Sequence, residues 1–182
     1  MNCLVTYSSE YGYTKQYAQW IADALGCGIL PAKKVTPTLW QGYDVIIHGG
    51  GLYAGSLSGL KPLVKHYDKL RGKTLILFTC GIANPQDPQN VANIEAGIAK
   101  VLTPEMQKTV KQFHFRGGID YARMRPMHKA MMAMMRKIIL QNGPENLRDD
   151  DKVIVDSYGK SADFLDPSSI APLVEYVKQL AL

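Results

Sequence analysis

The sequence contains no run of ~18 apolar residues, the length a helix needs to span a bilayer, so no membrane crossing is expected. It has three cysteines, Cys3, Cys27 and Cys80, an odd number at no ligand spacing. That excludes a disulfide framework and a thiolate zinc site. The four histidines (His48, His66, His114 and His128) share no spacing either, so no metal is expected. No basic-then-apolar leader opens the chain, because Met1-Asn2-Cys3 leads straight into strand-like residues. These absences point to a cytoplasmic setting. Internal repeats and low-complexity linkers are also missing, and 182 residues suit one domain, 1–182, with a full hydrophobic core.

Acidic residues are missing from one stretch. Residues 1–118 hold 12 Lys/Arg against 7 Asp/Glu, and residues 145–182 hold four basic against eight acidic. Between them, 121–144 carry five basic residues and no acid, inside a chain of net charge +5. A basic segment within an otherwise balanced domain invites an anionic partner.

Strands alternate with helices along the chain. Leu4, Val5 and Tyr7 have strand character, and Tyr17, Trp20, Ile21, Ala24 and Leu25 then recur at helical spacing. Gly26 and Gly28 mark a stop, 29–32 read as a short edge strand, and 33–41 as a loop with a partial turn. Residues 44–48 form a continuous apolar run ended by Gly49-Gly-Gly51, as a buried parallel strand would be. A helix is expected over 57–70, a strand over 73–80, a loop over 81–90, a helix over 91–102 and a strand over 111–116, stopped at Gly117-Gly118. Asp166-Pro-Ser-Ser169 caps a final helix running to Leu182. This alternation predicts an α/β fold with a parallel sheet and helices on both faces, and ligands at the strands' carboxyl ends.

Three glycine-bearing loops leave such ends: 9–14, 49–59 and 81–87. The first turns a strand into a helix start, where unpaired N–H groups and the helix dipole favour an anion. No Lys or Arg lies in it, so a phosphate there would be held by neutral donors, with Ser9 and Thr14 adding hydroxyls and Gly12 allowing close approach. Ser9-x-x-Gly12-x-Thr14 after an N-terminal strand resembles the FMN phosphate loop of flavodoxins. Two residues depart from that pattern: Tyr11 replaces the usual Thr or Ser, and Glu10 places an acid that would have to face solvent.

The resemblance implies a flavodoxin-like three-layer fold: a five-stranded parallel sheet with helices on both faces, and a helical insert after strand 5. It also implies FMN as the cofactor. The phosphate loop would be Ser9, Glu10, Tyr11, Gly12, Tyr13 and Thr14. Leu52, Tyr53, Ala54 and Gly55 would border the ring on one side, with Tyr53 either stacking on it or packed into the protein. Thr79, Cys80, Gly81, Ile82, Ala83 and Asn84 would form the other wall. Gly49-Gly-Gly-Leu-Tyr-Ala also fits a dinucleotide fingerprint, but it follows an internal strand and no acid stands where a ribose would need one. Cys80 lacks a neighbouring base and reads as a small buried residue. No catalytic residue is assigned.

The basic stretch forms the insert. Met127, Met131, Met134, Met135 and Ile138 share a helical face, with Lys129, Arg136 and Lys137 elsewhere. A helix packed on the domain or in a homodimer fits this pattern. So does one wall of a ligand site, or peripheral contact with a membrane through 121–140. The insert, opening at Gly117-Gly-Ile-Asp-Tyr-Ala-Arg-Met-Arg-Pro-Met-His, resembles that of the menaquinone-dependent protoporphyrinogen oxidase group. That likeness implies a porphyrinogen or quinone as partner, with Arg123 and Arg125 as candidate carboxylate contacts. Nucleic acid is not expected. The readings carried forward are an FMN-dependent oxidoreductase or electron carrier, the oxidase, and a flavin-free interaction module.

Overall fold

The computed structural model describes residues 1–53, 55–141, 143 and 146–180. Its centre is a sheet built from β1 (Cys3–Ser8), β2 (Gly28–Pro31), β3 (Val45–Tyr53), β5 (Thr74–Gly81) and β6 (Lys111–Arg116). These five strands run parallel in the order β2-β1-β3-β5-β6, and a short β4 (Ser56–Leu57) pairs antiparallel with the end of β3. This is the expected flavodoxin-like α/β architecture.

The strands read as unbroken apolar runs because both sheet faces are covered. Alternate residues Val5, Ile47, Ile76 and Phe78 face α1 (Tyr13–Leu25) and α7 (Ala171–Gln179). Leu4, Ile46, Leu75 and Leu77 face the other layer, made by α2 (Leu60–Lys65), α3 (Pro88–Ala99) and α4 (Pro104–Thr109). Tyr17, fully buried on α1, ties the layers to the sheet end: its hydroxyl donates to Arg116 O at 2.7 Å and accepts from the Asp166 N–H at 3.2 Å.

Several elements differ from the sequence expectation. β3 does not end at the glycines but runs through them to Tyr53, because Phe78 of the neighbouring strand fills the space a side chain at Gly49 would need. The helix expected over 57–70 is α2 alone, followed by a 3-10 turn at Tyr67–Leu70, since Leu57 is taken up by β4. α3 begins three residues before the expected 91, where Asp87 accepts from the Gln89 N–H and Pro88 occupies the first turn. α4 was not foreseen; Thr103 caps it through the Met106 N–H. Leu182, the expected end of the last helix, lies outside the described residues.

β6 ends at Arg116, as the Gly117-Gly118 pair predicts, and a separate pairing follows it. β7 (Gly118–Asp120) pairs antiparallel with β8 (Ser161–Asp163), and between them lie α5 (Pro126–Gln141) and α6 (Asp149–Asp156). This helical insert has its own small core of Ile119, Tyr121 and Met124, against which Tyr11, Ile82 and Met132 pack.

One buried group makes the sheet sensitive to acid. His48 of β3 is enclosed, its Nε2–H donating to Ser58 O at 3.0 Å and its Nδ1 lying 3.0 Å from the Thr6 hydroxyl. Burial pushes its pKa down to about 4. The unfolded chain therefore takes up a proton first as pH falls below the ordinary histidine value. Stability from this site is complete above about pH 6.5, and roughly 3 kcal/mol of it is lost on the way to pH 4. Urea midpoints across that window should fall more steeply for the native chain than for His48→Asn; equal slopes would acquit His48.

Candidate functional site

The carboxyl ends of β1, β3, β5 and β6 open into a cavity of about 790 Å³. It lies beside the break in strand order between β1 and β3, where a doubly wound sheet leaves a crevice. Its floor is the 9–14 loop, its sides are Gly51, Leu52, Tyr53 and Gly55 and residues 80–83, and its far wall is α5.

The loop is shaped as an anion cradle. Gly12 adopts φ 102°, a left-handed conformation that L side chains rarely take, and caps α1. Its N–H donates to Ser9 Oγ at 3.1 Å. The first α-helical bond runs from Gln16 N to Gly12 O at 2.9 Å, so the N–H groups of Tyr13, Thr14 and Lys15 precede the helical ladder. α1 carries no acid in its first turn to compete with a bound anion.

The two atypical loop residues are held by the insert. Glu10 Oε1 meets Arg125 Nε at 2.7 Å. The Tyr11 hydroxyl accepts from the Arg125 N–H at 3.3 Å and is hydrogen-bonded to His128 Nδ1. His128 also stacks on Tyr53, with ring centroids 5.2 Å apart and planes 24° from parallel. The 9–14 loop, Tyr53 at the end of β3 and α5 are thus fastened together at one corner.

The cavity lining is mostly apolar, and its carboxylates are Glu10 and Asp120. Burial pushes the Tyr53 phenol and the Cys80 thiol each up to about 12, and raises Tyr13 as well. Cys80 is therefore no thiolate nucleophile at neutral pH. An apolar slot with polar edges and one anion-binding end suits a flat ring carrying a phosphorylated tail.

The structure brings Ser9, Glu10, Tyr11, Tyr13, Thr14, Leu52, Tyr53, Gly55, Cys80, Gly81, Ile82 and Ala83 to this cavity. Gly12 shapes the loop without lining it. Thr79 points the other way along β5, buried against His114 Nδ1 at 2.9 Å. Asn84 turns aside because its N–H is held by the Asp150 carboxylate at 3.1 Å. Ala54 lies outside the described residues.

The flavodoxin-domain family profile matches residues 4–146. The chain belongs to this family. An uncharacterized protein of Methanocaldococcus jannaschii, MJ0298, is 34% identical over 85 residues, covering 44% of this chain and 55% of that protein. The chain thus spans about half the length of that curated relative. Among solved structures, a putative flavoprotein from Bacteroides eggerthii aligns at 16% identity and TM-score 0.45, over 76% of this chain and 98% of its own. A flavodoxin from the domain Archaea gives 14% and 0.40, over 87% and 97%. A flavoprotein from Lactobacillus acidophilus, solved in complex with FMN, gives 11% and 0.40, over 63% and 91%.

For this flavodoxin-domain chain, sequence reasoning missed His128 as a site residue. Spacing alone does not single it out, because its partner Tyr11 lies 117 residues away. A signal was present in the Tyr11 departure from the loop pattern, since an oversized loop residue needs something to pack on. Arg125, a candidate carboxylate contact, is instead engaged by Glu10.

Proposed function

We propose that this chain is an FMN-binding flavoprotein that exchanges electrons with a redox partner or a small-molecule substrate. The observation that carries the reading is the joining, in one cavity, of a helix whose first turn holds no acid to an apolar slot between Leu52–Tyr53 and residues 80–83. The residues present fit the group. The N–H groups of the 9–14 loop and the Ser9 hydroxyl would hold the phosphate, Tyr53 and Leu52 would face the ring, and the backbone of 81–83 would border its polar edge. FMN would supply the electron chemistry, while the protein orients it, excludes water and sets its potential through those backbone groups.

Titration of the purified protein with FMN, followed by absorption and fluorescence quenching, tests this directly. A folded protein without FMN affinity would remove the reading and leave a flavin-free interaction module. Gly12→Val is expected to weaken FMN binding. Valine rarely adopts φ 102°, and its side chain would stand where a phosphate approaches; a clash within the protein is not involved, since no protein atom lies within 4 Å of a Cβ built there. Unchanged affinity would count against the loop.

The Glu10–Arg125 pair gives a finer expectation. Glu10→Gln removes a negative charge beside the anion site and frees the guanidinium, whereas Arg125→Ala leaves Glu10 uncompensated. FMN affinity should therefore rise roughly two- to fivefold in the first variant and fall by a similar factor in the second. The same direction of change in both would show that the pair acts only as a tether.

A narrower reading is an enzyme like the menaquinone-dependent protoporphyrinogen oxidases, favoured by the methionines of α5 on the same cavity. Anaerobic assay with protoporphyrinogen and a menaquinone analogue tests it. Failure of turnover alongside ready reoxidation by soluble carriers would leave an electron carrier.

A further inference from the structure

We propose that the outer face of α5 docks on an anionic lipid bilayer. Six of the large apolar side chains most exposed in this chain sit on this one helix. Met127 and Met134 are each 66% exposed and Ile138 is 50% exposed, with Met131 beside them on the same stripe. An isolated exposed methionine is ordinary, but a continuous apolar stripe along a surface helix is not.

The charges around the stripe choose the occupant. Residues 121–141 contain five cations and no acid. Arg125 is engaged by Glu10, and Arg136 lies 5.0 Å from the Tyr158 ring. Among the described residues, Arg123, Lys129 and Lys137 form no ion pair. Lys137 flanks the stripe and Arg123 lies just before the helix, whereas Lys129 is on its far side. An apolar stripe bordered by unpaired cations, with no acid on the same helix, matches lipid headgroups with acyl chains beneath them. A second copy of this helix would instead bring like charges together.

The helix lies on the bilayer and does not enter it end-on. Sixteen residues extend about 24 Å, short of the ~30 Å hydrocarbon core, and no described helix is long and apolar enough to cross a membrane. Met131, Met134, Met135 and Ile138 also line the cavity. Docking on this face would set the cavity mouth against the acyl region, so that an apolar molecule dissolved in the bilayer could enter without crossing water. Docking itself does not depend on bound FMN.

The test uses the full chain with vesicles of phosphatidylcholine alone and of equal parts phosphatidylcholine and phosphatidylglycerol. Co-sedimentation is expected with the anionic vesicles only, weakening as salt is raised. Under mild peroxide, Met127 and Met134 should be protected from sulfoxidation by those vesicles, with buried Met106 as the unreactive internal reference. Met127→Asp, which leaves the cavity lining untouched, and Lys137→Glu should each lower partitioning about tenfold. Unchanged FMN titration in the Met127→Asp protein separates this idea from the cofactor reading. No sedimentation, or sedimentation without methionine protection, would overturn the proposal. So would protection that grows with protein concentration in the absence of vesicles, which would assign the face to a second copy.

Discussion

Gly49→Val is expected to lower stability by about 4 kcal/mol or more, enough to leave much of the protein unfolded at ambient temperature. Gly49 lies in the middle of β3, paired to Tyr7 of β1 and to Phe78 of β5. A Cβ built there would sit 1.9 Å from Phe78 Cζ, well inside any permitted contact. The ring cannot retreat. It is fully buried and packed on Phe115, with centroids 5.5 Å apart. Valine would have to displace that ring or bend the central strand, and close-packed interiors transmit such strain. Urea unfolding measures the loss. Pairing Gly49→Ala with Phe78→Leu tests the cause, because a smaller neighbour should restore part of the stability. A fully stable Gly49→Val protein would refute the packing account.

The same glycine shows where sequence reasoning reaches and where it stops. The apolar runs at 44–48 and 73–80 revealed buried parallel strands directly, because side chains on both faces must be hydrophobic when helices cover both faces. Local rules then read Gly49-Gly-Gly51 as a break. Glycine is required at 49 by the ring of Phe78 and at 50 by Leu57 and the Ser58 carbonyl, neighbours in space that local pattern does not show. The 9–14 loop was legible because its chemistry lies within six consecutive residues. The role of its two odd members was not, since Glu10 and Tyr11 answer to Arg125 and His128 more than 110 residues away. β7, β8 and α6 were missed for a simpler reason: strands of three residues and a helix of eight are too short for periodicity to declare them. Methionine spacing did reveal the insert helix and offered one wall of a ligand site among its readings, and Met131, Met134, Met135 and Ile138 do line the cavity.

The second large effect is expected at Asp150 of α6, on the outer side of the wall formed by 80–83. Its carboxylate receives Arg116 at 3.2 Å, the Asn84 N–H at 3.1 Å and the Asn90 side-chain amide. Arg116 in turn donates to Ile82 O at 3.1 Å and lies 4.0 Å from the Phe164 ring. Arg148 extends the web to Asp87 and Asn90. One carboxylate thus fixes the turn that forms a cavity side, the end of β6 and the start of α3. Both members of the ion pair are largely enclosed, with side-chain exposures of 22% for Arg116 and 14% for Asp150. Removing one partner of such a pair costs about 3 to 5 kcal/mol, because the other charge stays partly buried and uncompensated. Asp150→Ala should therefore be strongly destabilised. Asp150→Asn, which keeps an acceptor for the Asn84 N–H but loses the charge, should lose less. At temperatures where both variants remain folded, FMN affinity should fall in the same order, since the 81–84 turn would no longer be pinned. Arg116→Met with Asp150→Leu removes both charges together and should recover much of the stability without recovering cofactor affinity. If that double variant binds FMN as the native chain does, the web serves folding alone and does not position the cavity wall.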